Sequence, residues 1–160
     1  MRTLVALAML ALAGCASVPA PPPVPNIYVV RHLNTPAGVA NAQLTAEGRA
    51  NAVKLADFFR RDPPRTILVS DTDRARDTAA PTAARYGAAV LTYDASDTPS
   101  LVAQALASTG TVLVVGHSNT VPDIVAGLGG TKPAPLVHED FGDVWHISGP
   151  QRTTVRSKLP

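Results

Sequence analysis

Short apolar stretches rich in β-branched residues recur along the chain. Stretches of this kind, bounded by polar, Gly or Pro residues, are typical of strands buried on both faces of a sheet. They predict four strands, at residues 27–30, 66–70, 89–93 and 111–115. Two later runs, 144–148 and 153–158, flank Gly149-Pro150 and predict a hairpin.

The segments between the first strands have features of helices. Residue types that favour N-caps begin three of them, at Thr45, Asp73 and Thr98. Pro81 falls inside the second and predicts a kink or a break, because proline removes a helix hydrogen bond. The predicted helices span residues 45–60, 73–86, 98–107 and 120–128.

Strand and helix alternate four times before the hairpin. This alternation is typical of a parallel sheet covered by helices on both faces. The predicted fold class is α/β, with three α/β/α layers, a mainly parallel sheet and the C-terminal hairpin at one edge.

The N-terminus has the pattern of an export signal. Arg2 precedes an apolar run, residues 3–13, that is too short to span a bilayer. The residues up to Cys15 resemble the lipobox of bacterial lipoproteins, which implies cleavage before Cys15 and lipidation of that cysteine. An ordinary secretory signal that contains a cysteine is the alternative.

These features divide the chain into three parts. Residues 1–14 are the predicted signal peptide, 15–25 a proline-rich tether and 26–160 the folded domain. A lipid on Cys15 predicts a membrane anchor in the cell envelope, and Ala16 after it favours the periplasmic face of an outer membrane.

Composition limits the classes of partner. The chain has 160 residues, a formal net charge of +2 and only 16% charged residues. This balance predicts a single globular domain with no general affinity for nucleic acid. Cys15 is the one cysteine and cannot form an internal disulfide. The composition leaves the oligomeric state open.

Polar residues follow each of the four predicted parallel strands. Arg31 and His32 end the first strand, Arg74 follows the second, Asp94 the third and His117 the fourth. Ligands of open α/β sheets bind at the carboxyl ends of the strands, so these side chains are expected to meet at one edge.

The residue types in this set suit phosphoryl transfer. A neutral imidazole is a nucleophile near pH 7 and can form a covalent intermediate. Guanidinium groups match phosphate oxygens with paired hydrogen bonds. A carboxylic acid can protonate the leaving oxygen and then activate water. No metal or cofactor is predicted, because the run His138-Glu139-Asp140 lacks partners at ligand spacing.

Four ordered motifs resemble the histidine phosphatase superfamily, also called phosphoglycerate mutase-like. The motifs are VVRHLNT, LTAEGRANA, VSDTDRARDTA and VVGHSNT. The resemblance implies that His32 is the phosphorylated nucleophile, that Arg31 and Arg74 bind phosphate and that His117 is a second pocket histidine. It implies hydrolysis of a phosphomonoester, a small molecule or a phosphoprotein, through a phosphohistidine.

The chain departs from the family pattern at three points. Leu33 follows the nucleophile, where Gly or Ala is common, and Asn34 is the nearby polar candidate for phosphate binding. Asp94 stands near the place of the family's Glu, with Glu139 or Asp140 as alternative acids. The insertions that shape mutase pockets are missing, which favours simple hydrolysis.

Two other functions remain open on the sequence. The segment from Gly116 to Thr120 nearly matches a nucleophile elbow, which would make Ser118 the nucleophile of an esterase. Asp123 or Asp143 with His146 would complete that triad. The third hypothesis is an envelope lipoprotein that binds a phosphorylated ligand without turnover.

Overall fold

A computed structural model of the chain describes residues 24–160. The predicted signal peptide, Cys15 and most of the tether lie outside these residues. In the described part, six strands and four α-helices alternate as the sequence predicts, and a turn of 3-10 helix, Phe59–Arg61, extends the first helix. Their bounds are β1 Ile27–Arg31, α1 Ala46–Phe58, β2 Thr66–Ser70, α2 Asp73–Tyr86, β3 Ala89–Tyr93, α3 Thr98–Ala107, β4 Val112–Gly116, α4 Val121–Gly127, β5 Asp143–Ser148 and β6 Thr153–Lys158.

The strands form one sheet in the order β3-β2-β4-β1-β5-β6. The four strands β3, β2, β4 and β1 are parallel, whereas β5 pairs antiparallel with β1 and with β6. The C-terminal hairpin therefore lies at the β1 side of a mainly parallel sheet. The predicted fold class is confirmed.

Two hydrophobic cores lie on opposite faces of the sheet. One joins the strands to α1 and α2, and the other joins them to α3 and α4. Successive residues of β1 contribute to different cores, Val29 to the α3/α4 side and Val30 to the α1/α2 side, and both are buried. This double burial explains why the parallel strands are continuously apolar.

Two predicted N-caps are wrong by one residue, while Thr45 is confirmed as the N-cap of α1. Thr72 rather than Asp73 caps α2, since Thr72 has extended backbone angles and its side chain accepts from the Ala75 amide. In the same way Asp97 rather than Thr98 caps α3. When two neighbouring residues both suit a cap, the backbone conformation decides which one takes the position.

Pro81 does not break α2, which runs without interruption to Tyr86. The amide missing at Pro81 leaves the carbonyl of Asp77 without its helix partner. Asp77 is exposed, so water can satisfy that carbonyl. None of the helices in residues 24–160 is long and apolar enough to cross a membrane.

Candidate active site

Two histidines lie side by side where β1 and β4 end. Arg31 pairs with Gly116 in the parallel register, so His32 and His117 follow at the same level of the sheet. The His32 amide also donates to the Gly116 carbonyl at 2.9 Å. The two ring centroids are 5.3 Å apart, and both residues are buried.

The His32 ring has a defined tautomer. Its Nδ1 lies 3.0 Å from the Leu33 carbonyl oxygen, which can only accept, so Nδ1 carries the hydrogen and Nε2 carries the lone pair. Burial lowers the pKa of His32 from 6.5 to about 4, and the charges of Arg31 and Arg74 act in the same direction. His32 is therefore neutral at pH 7, with Nε2 available as a nucleophile.

The backbone after His32 accommodates leucine without strain. Leu33 has a negative φ and packs into the α1/α2 core. Its amide donates to Thr78 Oγ1 at 3.0 Å, and Thr78 Oγ1 donates to the Arg74 carbonyl at 2.7 Å. Thr78 thus ties the loop that carries His32 to the helix that carries Arg74. Leu33 adds packing at a position where the family that the motifs resemble commonly has Gly or Ala.

His117 is held by residues from two neighbouring segments. Its Nε2 lies 2.7 Å from Ser70 Oγ at the end of β2, and its amide donates to Thr120 Oγ1 at 3.0 Å. Burial, together with the charges of Arg74 and Arg31, lowers the pKa of His117 to about 4. Ser70 therefore orients a second neutral imidazole beside His32.

The two predicted phosphate-binding arginines differ in their contacts. Arg74 lines the pocket, and its guanidinium makes no hydrogen bond or ion pair with the described residues. Arg31 is buried, and its Nη1 donates to the carbonyls of Val137 and His138 at 2.7 and 3.0 Å. Its Nε is buried without a partner in residues 24–160.

An open pocket of about 420 Å³ brings these groups together. Its walls include the uncharged loop that begins at Thr35 and ends at Ala42. Arg31, His32, Arg74 and His138 form the rest of the wall. Two cationic side chains beside the neutral imidazole of His32 suit an anion that reacts at that ring. His117 contacts His32 but is not one of the residues of this wall.

Asn34 and Asp94 do not line this pocket. The Asn34 side-chain oxygen accepts from the Asn51 amide of α1 at 3.0 Å, and Thr35 lines the pocket instead. Asp94 is exposed in a separate hollow, and its hydrogen bonds from Ser96 hold its pKa below the ordinary value. A carboxylate stabilised in its charged form and turned away from His32 is poorly suited to donate a proton there.

The loop after α4 does contact the site, but neither acid in it faces His32. Asp140 accepts from the Val137 amide at 2.8 Å and lines a neighbouring hollow, and Glu139 is exposed. His138 is the member of the run that lines the pocket. From the sequence, this residue was a candidate only as a metal ligand. No group of three or more metal-binding side chains occurs within residues 24–160.

The structure contradicts the esterase triad. His146 stacks on Tyr28 with the ring centroids 4.2 Å apart. Tyr28 pairs with Leu113 of β4, so His146 lies far along the sheet from Ser118.

The two acids proposed for that triad have other partners. Asp143 is buried and accepts from Arg156 Nε and Nη2 at 3.0 and 2.9 Å. Asp123 pairs with Lys132. Neither acid completes a triad with Ser118.

Comparisons with known proteins agree with this arrangement. Residues 27–96 match the model of the histidine phosphatase superfamily (branch 1). The comparison with curated protein sequences finds no match.

Solved structures share the fold at low sequence identity. A Nakamurella multipartitia protein assigned as the phosphohistidine phosphatase SixA is 20% identical, with a TM-score of 0.60 over 88% of this chain and 98% of that chain. Mycobacterial glucosyl-3-phosphoglycerate phosphatase bound to inorganic phosphate is 19% identical, with a TM-score of 0.64 over 84% and 95%. The protein histidine phosphatase SixA bound to tungstate is 15% identical, with a TM-score of 0.59 over 82% and 94%. The chain therefore has the histidine phosphatase fold.

Proposed function

We propose that the chain belongs to the histidine phosphatase superfamily and hydrolyses phosphomonoesters through a phosphohistidine on His32. The observation that carries this proposal is the state of the His32 ring. Its Nε2 has a free lone pair at pH 7, and Arg31 and Arg74 stand at the same pocket.

The proposed reaction has two displacements at phosphorus. His32 Nε2 attacks the substrate phosphorus, the bond to the leaving oxygen breaks, and the phosphoryl group is held on the ring. Water then attacks that phosphorus and releases inorganic phosphate and free His32. Arg74 and the unpartnered Nε of Arg31 are the proposed donors to the phosphoryl oxygens, and His117, oriented by Ser70, is a third.

The substrate we propose is a small phosphoester or a phosphoprotein. The pocket is open, its loop from Thr35 to Ala42 is uncharged, and it offers no second cluster of cations for a highly phosphorylated ligand in the described residues. The fold is shared with a phosphatase of a sugar phosphate and with a protein histidine phosphatase. Hydrolysis rather than mutase chemistry is proposed, because the chain lacks insertions over the pocket.

The full-length chain provides the test. We expect hydrolysis of an aryl phosphate between pH 5 and 8, inhibition by vanadate and a loss of at least about 1,000-fold in His32→Ala. Ser118→Ala is the matched control, because Ser118 follows His117 but has no proposed role, and it should keep most activity. Activity that survives in His32→Ala, or a folded wild type without activity, contradicts the proposal.

Binding of a phosphorylated ligand without turnover is the second candidate. The observation that favours it is the composition of the pocket wall, where no Asp or Glu occurs among the described lining residues. In that case the wild type binds phosphate analogues and releases no product from the aryl phosphate.

We also propose that a lipid on Cys15 anchors the domain in the cell envelope, on the periplasmic face of an outer membrane. The basis is the apolar run before the cysteine and the small residues next to it. Cys15→Ala is expected to prevent labelling by a radioactive fatty acid and to release the protein from the membrane fraction. Unchanged labelling would overturn this proposal.

A further inference from the structure

The leaving oxygen of an alkyl phosphate needs a proton as its bond to phosphorus breaks, because an alkoxide is a strong base. The described lining of the pocket contains no carboxylic acid that can supply this proton. Asp94 lies in another hollow and is held in its charged form. His117 has its Nε2 engaged with Ser70.

His138 is the remaining proton-carrying side chain that faces the pocket. It lines the same wall as His32 and Arg74. Phe141 contacts both histidines, with ring-centroid distances of 5.3 Å to His138 and 6.1 Å to His32.

The backbone of His138 is fixed by a buried cation from another element. Arg31 Nη1 donates to the His138 carbonyl at 3.0 Å and to the Val137 carbonyl at 2.7 Å, while its guanidinium carbon lies 4.1 Å from the Phe141 ring centre. These contacts hold the loop against the end of β1. Since they involve the main chain of His138, they leave its imidazole free to act on a substrate.

We propose that His138 is the acid and base of the reaction, and this proposal rests on the proposed function. As His32 Nε2 bonds to phosphorus and the P–O bond breaks, the His138 imidazolium gives its proton to the leaving oxygen and forms the alcohol. The neutral His138 then takes a proton from the attacking water as the N–P bond breaks. Inorganic phosphate leaves, and His138 is again an imidazolium.

Charges of both signs surround His138. Arg31 and His32 come from the end of β1 and Arg74 from α2, while Glu139 and Asp140 are its neighbours in the loop. A bare pH profile reports on all of these groups together, so it does not isolate the role of His138. The dependence on the leaving group isolates it, because only poor leaving groups need the proton.

The experiment compares first-turnover phosphorylation of His32 by two substrates in the full-length protein. In His138→Ala we expect the rate with an alkyl phosphate to fall about 100- to 10,000-fold, and the rate with 4-nitrophenyl phosphate to fall less than about 10-fold. Glu139→Gln is the matched control, because Glu139 is the exposed neighbour in the same loop. Any change that it causes should be the same for both substrates, with no split between them.

Two results in His138→Ala overturn the proposal. Equal losses with both substrates in His138→Ala indicate a structural role, and no loss with either indicates no role. His138→Gln, which keeps a polar side chain, must show the same difference in rate loss between the two substrates as His138→Ala. A folding defect in one of the two variants then does not decide the result. A wild type that never forms a phosphohistidine removes the proposed function itself.

Discussion

Burial determines the chemistry of single residues at this site. His32 and His117 are 5% and 8% exposed, and the pKa of each is lowered to about 4. A nucleophilic imidazole must be neutral, so the burial that lowers the pKa suits the proposed role of His32 over most of the pH range. Arg31 and Arg74 contribute to the lowering of both pKa values and also offer donors to an anion.

Arg74 is expected to contribute to substrate binding and not to folding. Arg74→Ala should lower kcat/KM about 100- to 10,000-fold, because two charge-assisted hydrogen bonds of about 1.5–3 kcal/mol each are lost. Arg74→Lys should recover only part of it, since an ammonium cannot donate in the paired geometry of a guanidinium. Steady-state kinetics measure the loss, and unchanged unfolding midpoints check the fold. An alanine variant with wild-type kcat/KM contradicts this role.

The two buried histidines should make stability depend on pH. Their folded pKa values of about 4 lie below the ordinary 6.5, so the unfolded state binds more protons between these values. The free energy of unfolding should therefore fall as the pH drops from about 6.5 toward 4, by about 2 kcal/mol for each histidine, with no change from them above 6.5.

Urea unfolding at pH 4.5 and pH 7 measures this dependence. His117→Asn removes one of the two groups, so its loss of stability between the two pH values should be smaller than that of the wild type. The comparison uses, for each protein, the difference in unfolding free energy between the two pH values. The stability that His117→Asn loses with the Ser70 contact is present at both pH values and therefore cancels. An identical difference in both proteins would show that the His117 pKa is not lowered.

The sequence places five polar residues after strand ends, and the structure brings four of them together, without Asp94. Arg31, His32, Arg74 and His117 could be located because parallel strands end at one edge. Asn34, Asp94 and His138 lie in loops, where a side chain's direction depends on distant contacts. Asn34 turns to Asn51 of α1, and Arg31 holds the backbone of His138. Residue spacing carries no information on such contacts.

At the scale of elements, close contact between α1 and the loop after β1 fixes the position of the residues that follow His32. The Asn34 carbonyl accepts from the Thr45 amide at 2.9 Å. A Cβ at Gly48 would overlap the backbone of Asn34, far inside van der Waals contact. The glycine in the motif LTAEGRANA therefore allows the loop to pack directly on the helix.

Gly48→Ala should destabilise the protein although alanine is the better helix former. Replacing glycine by alanine stabilises a helix by about 0.8–1 kcal/mol through helix propensity. Overpacking costs about 1–3 kcal/mol, and here the added methyl group has to displace backbone atoms. Denaturant unfolding measures the net effect. Ala50→Gly at an exposed position of α1 is the control for propensity alone and should cost about 1 kcal/mol. A more stable Gly48→Ala variant would contradict the close contact.

Element bounds were predictable to within a few residues, because Pro and Gly interrupt the apolar runs. The exact caps were not, since Thr72 and Asp73 are both good N-cap residues and only the backbone distinguishes them. Of the kink or break predicted at Pro81, the break does not occur, and Asp77, whose carbonyl loses its helix partner, is exposed. That exposure is a property of the folded protein and is not readable from the sequence.

At the scale of the whole molecule, the sheet order creates the site. β4 lies between β1 and β2, so the ends of three strands that are distant in sequence become neighbours. Alternation of strands and helices predicted the layers and the parallel sheet, but strand order depends on which faces pack together. The edge of the sheet that carries the candidate site could therefore be located from the sequence, but the neighbouring strands at that edge could not.

Both cores and the pocket lie within residues 24–160, which predicts the behaviour of a shortened chain. Removal of residues 1–23 should leave the thermal midpoint and kcat within about twofold of the values for detergent-solubilised full-length protein. Thermal unfolding and aryl phosphate hydrolysis are the measurements. A large loss of either would show that the first 23 residues contribute to the domain itself.

The most direct test of the central claim is to trap the phosphorylated enzyme. Full-length protein is mixed with a phosphomonoester and quenched within one turnover, and the modified residue is identified by tandem mass spectrometry. We expect an acid-labile phosphoryl group on His32, present in Ser118→Ala and missing in His32→Ala. A phosphoryl group on another residue, or turnover without a phosphorylated enzyme, would contradict the account.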